Sequence, residues 1–273
     1  MSLLEAVVLG IVQGLTEFLP ISSTAHLRII PALLGWDDPG AAYSAVIQLG
    51  TVGAVLVYFG GDLVTLGKAF GRGLVARAPF GTDDSRLAWF VGLGTIPIGV
   101  LGLLFKKAIE TSLRSLYVIS ASLIVLALVL FAAERLATHT RKIADLSLRD
   151  ALIIGCWQAL ALVPGSSRSG TTLTGGLTLG LQRADAARYS FLLSIPATTL
   201  AGLLELKHLL SDTGGGATLP MVVGTVVSFV TGLLAIHGLL RFLRTRTTLV
   251  FVGYRILLGG LLLTLLTLGV LPA

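Results

Sequence analysis

Two polar runs interrupt an otherwise apolar chain of 273 residues: Gln13-Gly-Leu-Thr-Glu17-Phe-Leu-Pro-Ile-Ser-Ser-Thr-Ala-His26 and Pro164-Gly-Ser-Ser-Arg168-Ser-Gly-Thr-Thr172. Together they hold a carboxylate, an imidazole, a guanidinium and the hydroxyls of Ser22, Ser23, Thr24, Ser166, Ser167, Ser169, Thr171 and Thr172. That set suits a phosphorylated ligand. Arginine meets phosphate with paired, charge-assisted hydrogen bonds that lysine cannot copy. Pro20-Ile-Ser22 and Pro164-Gly-Ser166 each predict the start of a half-helix with serine as N-cap. A helix N-terminus offers unpaired N–H groups and positive dipole charge to an anion. The same residues also have structural readings: hydroxyls that pack or bond across helices, and a buried Glu17–Arg168 ion pair. His26 lies three residues after Ser23, which puts both on one helical face.

These groups must be positioned inside a membrane. Apolar residues make up 54% of the chain and charged residues 12%, and the mean hydropathy is +0.91. A soluble chain of this length needs far more charge on its surface. Runs at 41–60, 87–105, 115–133, 188–210, 219–243 and 248–271 are long enough for membrane spans. The N-terminal residues lack the basic leader of a cleaved signal peptide, and Cys156, the only cysteine, excludes an intramolecular disulfide.

A faint internal repeat organises the spans. Glu5-Ala-Val-Val-Leu-Gly-Ile-Val-Gln13 matches Asp150-Ala-Leu-Ile-Ile-Gly-Cys-Trp-Gln158, Tyr43-Ser44 matches Tyr189-Ser190, and Gly94-Thr95 matches Gly224-Thr225, in the same order. Each half opens with a proline-broken segment too short to span, which predicts a re-entrant helix hairpin, and continues with three spans. The expected fold is therefore an all-α integral membrane domain over 1–273, with repeat one at 1–134 and repeat two at 148–273 in inverted topology. In that layout the linkers at 61–86, 134–149, 182–188 and 241–247 share one side and carry thirteen of the 20 Lys and Arg residues. The other side carries Lys106, Lys107, Arg114 and Lys207. The positive-inside rule makes the first side cytoplasmic and puts both termini outside. Arg28, Arg168 and Arg255 remain, in hairpins or a span; Arg255 reads as a cation that snorkels to the cytoplasmic surface, with Tyr254-Arg255 as a secondary candidate for a functional role.

The two polar runs resemble the motifs of the undecaprenyl-pyrophosphate phosphatases of the bacitracin-resistance type. The first matches that family's Glu or Gln four residues before a Glu, followed by Ser-Ser-Thr and His; the second matches Pro-Gly-x-Ser-Arg-Ser-x-x-Thr. The resemblance covers essentially the whole chain. It implies removal of the terminal phosphate from a C55 isoprenoid diphosphate, which regenerates the lipid carrier for cell-wall synthesis, and a site open to the outer face of the bacterial inner membrane. It implies membrane lipids and no nucleic acid as partners, with a homodimer as an allowed assembly. Position 13 is Gln rather than Glu, which the pattern permits.

Within that chemistry Arg168 is assigned to the phosphate clamp, with Ser22, Thr24, Gly165, Ser167, Ser169 and Thr172. Glu17 is assigned as base or as ligand to Mg²⁺ or Ca²⁺, with Gln13 as a second ligand. Ser23 is the candidate nucleophile and His26 its general base, or the acid to the leaving group. Direct attack by His26, or by an activated water, fits the same residues. The rival class is a transporter or flippase for a phosphorylated lipid or anion, because inverted repeats with midplane half-helices serve transport equally well.

Overall fold

The computed structural model describes residues 1–105, 107, 109, 113, 115–211 and 219–271, and all that follows concerns those residues. Lys106 and Arg114, two cations of the expected outer side, lie outside them. The elements are helical throughout, apart from one isolated bridge between Arg141 and Leu181. In lipid this is forced: each backbone N–H and C=O must be satisfied within its own segment.

The first hairpin is α1 (Leu3–Phe18) and α2 (Ser23–Leu34). Ser2 caps α1 reciprocally with Glu5, and Pro20 stops it. The α3 helix (Gly40–Tyr58) is followed by α4 (Gly60–Val75), bent 76° from it. The expected polar linker at 61–86 is thus largely helical: the apolar face of α4 packs inward through Leu63 and Leu66 while Lys68 and Val75 are exposed. Next come α5 (Asp83–Leu104) and α6 (Leu116–Leu136).

The second hairpin is α7 (Leu148–Ala159) and α8 (Arg168–Thr178), followed by α9 (Arg183–Ser211), α10 (Leu219–Leu243) and α11 (Leu249–Thr267). All six apolar runs fall largely in helices. Among the described residues, α5, α6, α10 and α11 are each long and apolar enough to cross a membrane, and the bent pair α3–α4 makes a fifth candidate. The chain is a multi-pass membrane protein. Large apolar side chains point outward along these helices, as at Leu103, Val125, Leu234 and Leu257, where lipid replaces water as solvent.

The hairpins pack on the opposite halves of the chain. Helix α1 lies along α10, and α7 lies along α5. The contacts are close because small residues let the backbones approach. A Cβ on Gly10 would sit 2.7 Å from the Gly224 carbonyl oxygen, and one on Gly155 would sit 2.3 Å from that of Gly94. Gly10 and Gly155 occupy matching positions in the internal repeat, and so do Gly224 and Gly94.

Helix ends and the connections between them meet on one face. The Glu134 carboxylate accepts from Arg183 Nε at 2.7 Å and from Thr248 Oγ1 at 2.8 Å. Asp185 accepts from the Ile143 N–H at 3.3 Å, Asp150 from Arg141 at 2.6 Å, and Asp62 pairs with Arg188 at 2.8 Å. The expectation that these linkers share a side agrees with this network.

Candidate functional site

Each hairpin turns at a serine in an unusual conformation. Ser22 has φ +76° and ψ 100°, and Ser167 has φ +68° and ψ 109°. Positive φ in a non-glycine residue is strained and persists only where its surroundings hold it. Both serines are N-caps: Ser22 Oγ accepts the Ala25 N–H at 3.4 Å, and Ser167 Oγ accepts the Gly170 N–H at 3.1 Å. The second cap is therefore one residue later than the sequence predicts. Gly165, with φ +90°, makes the tight turn, and Ser166 precedes the cap. A Cβ at Gly165 would sit 2.6 Å from the Ile119 carbonyl oxygen.

The two tips face one another across a cavity of about 160 Å³, lined on its polar side by Glu17, Ser22, Ser23, Thr24, Gln48, Ser167 and Arg168. Glu17, 6% exposed, organises it. Its Oε2 accepts from Ser23 Oγ at 2.7 Å, Gln13 Nε2 at 2.9 Å and Gln48 Nε2 at 3.5 Å, while its Oε1 accepts from Arg168 Nη2. The Arg168 pair spans the two halves of the chain. Arg168 has buried Nε and Nη1 groups with no partner among the described residues, so part of its donor fork is free for an anion. Chemically, this is a guanidinium and two helix N-termini around a hydroxyl that is hydrogen-bonded to a carboxylate.

The family described as bacitracin resistance protein BacA matches residues 6–261. The chain belongs to this bacitracin-resistance family. A relative in Myxococcus xanthus (strain DK1622), named undecaprenyl-diphosphatase, is 68% identical over 269 residues, covering 98% of this chain and 91% of its own. Relatives of the same name in Chloroherpeton thalassium (strain ATCC 35110 / GB-78) and Chlorobaculum tepidum (strain ATCC 49652 / DSM 12025 / NBRC 103806 / TLS) are 55% and 52% identical over the full length of both chains.

Not every residue singled out from the sequence points into the cavity of this bacitracin-resistance family member. Ser169 Oγ donates to the Leu19 carbonyl at 3.1 Å, joining the second tip to the first. Thr172 Oγ1 donates to the Arg168 carbonyl at 2.7 Å and meets Ser190 Oγ at 2.5 Å. Both, like Gly165, shape the tips and do not line the cavity. The face shared by Ser23 and His26 does not yield a hydrogen bond between them. His26 Nδ1 lies 2.7 Å from the Ser22 carbonyl oxygen and Nε2 lies 2.6 Å from Tyr254 Oη. A carbonyl only accepts, so Nδ1 carries a proton; in the neutral ring Nε2 then accepts from Tyr254. Ser23 turns to Glu17 instead.

Arg255 does not snorkel. It is fully buried, and its Nη2 donates to the carbonyls of Ser166 at 3.0 Å, Gly165 at 3.3 Å and Ser122 at 3.3 Å, while Nη1 donates to that of Pro20 at 3.5 Å. Gln48 was also missed, although an amide inside the apolar run 41–60 was a usable signal.

Proposed function

We propose that this membrane protein hydrolyses undecaprenyl diphosphate to undecaprenyl phosphate and inorganic phosphate, regenerating the lipid carrier for cell-wall synthesis, in the bacterial inner membrane. The observation that carries the proposal is the convergence of Ser23, Glu17 and the free edge of Arg168 on one cavity between two helix N-termini. A transporter needs the anion cradle but not a hydroxyl aligned on a carboxylate, so the Ser23–Glu17 contact favours an enzyme.

In the proposed reaction Arg168 turns its free edge, and then its Nη2, to the diphosphate, which releases Glu17 from its counter-ion. Ser23 Oγ attacks the terminal phosphorus and its proton passes to Glu17. The bridging P–O bond breaks, and the departing isoprenyl monophosphate takes that proton. Water then attacks the phosphoserine. Its proton moves to Glu17 and on to Ser23 Oγ as inorganic phosphate leaves. Arg168, Ser22, Thr24 and Ser167 hold the phosphate oxygens, and stabilisation of their developing charge is the main catalytic contribution.

Among the described residues no three His, Cys, Asp or Glu side chains gather into a cage, so the protein alone does not enclose a metal ion. The donors nonetheless fit a hard cation that shares the diphosphate: Glu17 supplies a carboxylate, and the buried Gln13 Oε1 has no hydrogen-bond partner. We assign Mg²⁺ or Ca²⁺ to these two residues, where it would neutralise phosphate charge.

The reciprocal glycine contacts of α1 with α10 and of α7 with α5 support two interlocked inverted repeats, each a re-entrant hairpin plus three spans. A neighbouring cavity of about 230 Å³ shares Thr24, Gln48 and Ala161 with the first and continues past Arg28, Ser44, Ile109 and Ile119. Of these, Ser44 and Ile119 lie within the first five residues of α3 and α6, at the ends opposite the cation-rich linkers that follow those helices, which supports a site open to the outer face. The test is phosphate release from C55 isoprenyl diphosphate by purified protein in detergent. One phosphate per diphosphate, with monophosphate as co-product and none from Glu17→Gln, is expected; no release by wild-type protein refutes the proposal.

A further inference from the structure

Resting on that phosphatase reading, we infer that Tyr254 and Arg255, adjacent on α11, are a positioning pair that holds both strained hairpin tips in register. Two separate chains of hydrogen bonds lead from them to the two serine caps. Tyr254 bonds His26 Nε2 at 2.6 Å, with the rings within 8° of parallel, and His26 Nδ1 donates to the carbonyl of Ser22, the first cap. Arg255 donates to the carbonyl of Ser166, immediately before Ser167, the second cap, and also to those of Gly165 and Pro20. One guanidinium thus ties the second tip directly to the proline that breaks the first.

Neither residue lines the cavity, so neither touches substrate there. Arg255 has no ion-pair partner among the described residues, and its polar contacts are carbonyls. A buried cation on an otherwise apolar helix demands a reason, and packing α11 on α6 needs only apolar side chains. The caps supply the reason. A residue held at positive φ relaxes unless its neighbours over-determine it, and here the neighbours that fix both caps converge on two consecutive residues. The planar fork of arginine reaches several carbonyls from different segments at once; the ammonium of lysine, a compact point charge, does not.

The experiment compares kcat, KM and thermal unfolding of wild type, Arg255→Lys and Tyr254→Phe, as full-length protein in detergent, with C55 isoprenyl diphosphate. A catalytic centre displaced by about 1 Å can lose roughly 100-fold in rate, so Arg255→Lys is expected to lose kcat on that order in the folded, monodisperse fraction. Tyr254→Phe, which removes one hydroxyl and keeps the ring, is expected to lose about 10-fold, the rate equivalent of one ordinary hydrogen bond. In both, KM should move far less than kcat. Loss of folded protein would also lower apparent kcat at constant KM, so rates are referred to the folded, monodisperse fraction, in which a merely structural role would leave kcat at the wild-type value. Wild-type kcat in either folded variant overturns the proposal. Should Arg255→Lys fail to fold, Tyr254→Phe decides alone by the same criterion. An inactive wild-type protein would instead refute the phosphatase reading.

Discussion

The Ser23 hydroxyl donates to Glu17 Oε2 across 2.7 Å, bridging the Pro20 break between α1 and α2. The chain therefore folds back so that the last turn of one half-helix presents a carboxylate to the first turn of the next. Arg168 reaches the same carboxylate from the other half of the molecule, so the site exists only when both hairpins are in place.

Arg168→Lys is expected to abolish most activity although the charge is kept. Lysine can neutralise Glu17 but cannot present the free Nε–Nη1 edge to phosphate. Loss of such transition-state contacts costs about 2–4 kcal/mol, roughly 30- to 1,000-fold in rate. Steady-state kinetics on the folded variant checks this; near wild-type turnover would make Arg168 a structural counter-ion.

Ser23→Ala is expected to cost far more than Ser22→Ala. Ser22 Oγ caps α2, a role worth about 1 kcal/mol of stability. The partner coupled to Ser23 should be Glu17, so Ser23→Ala/Glu17→Gln should be hardly slower than the worse single variant. Additive losses in that cycle would separate the two residues into independent phosphate contacts.

Much of this was legible in the sequence, and the limits are physical. Long apolar runs fix helices because lipid offers the backbone no other partner. The prolines at 20 and 164 and the hydroxyl clusters after them marked both tips. Spacing along one helix suggested Ser23 with His26, but helical periodicity reports only neighbours on the same helix. It is blind to what the hairpin folds back onto, here Glu17 for Ser23 and Tyr254 for His26. The snorkelling reading of Arg255 failed for a related reason. An arginine near the start of a last span reads as a snorkelling cation unless the carbonyls it reaches, more than 85 residues away in sequence, are known. The cap at Ser167 in place of Ser166 turned on a positive φ that serine seldom adopts.

Gln13→Glu is expected to be tolerated and to alter metal dependence more than maximal rate. The Gln13 amide carbonyl is a weaker ligand for Mg²⁺ or Ca²⁺ than a carboxylate. Titrating activity against each cation for both proteins checks this. Identical half-saturation would show that position 13 faces away from the ion.

A topology measurement tests the proposed orientation. In a Cys156→Ser background, Val75→Cys places a thiol at a position 89% exposed, at the end of α4. Because the linkers sharing that face are rich in Lys and Arg, they should be cytoplasmic. An impermeant reagent should therefore label the thiol only after the cells are opened. Labelling in intact cells, with a leakage control, would invert the layout.

The central claim is that Ser23, aligned on Glu17, attacks the terminal phosphorus. The stereochemical course at that phosphorus tests it most directly, using an isoprenyl diphosphate made chiral there with sulfur and oxygen isotopes. Attack by Ser23 followed by attack of water gives two inversions, so the account predicts net retention in the released thiophosphate. Net inversion would mean that water attacks in a single step, and would contradict it.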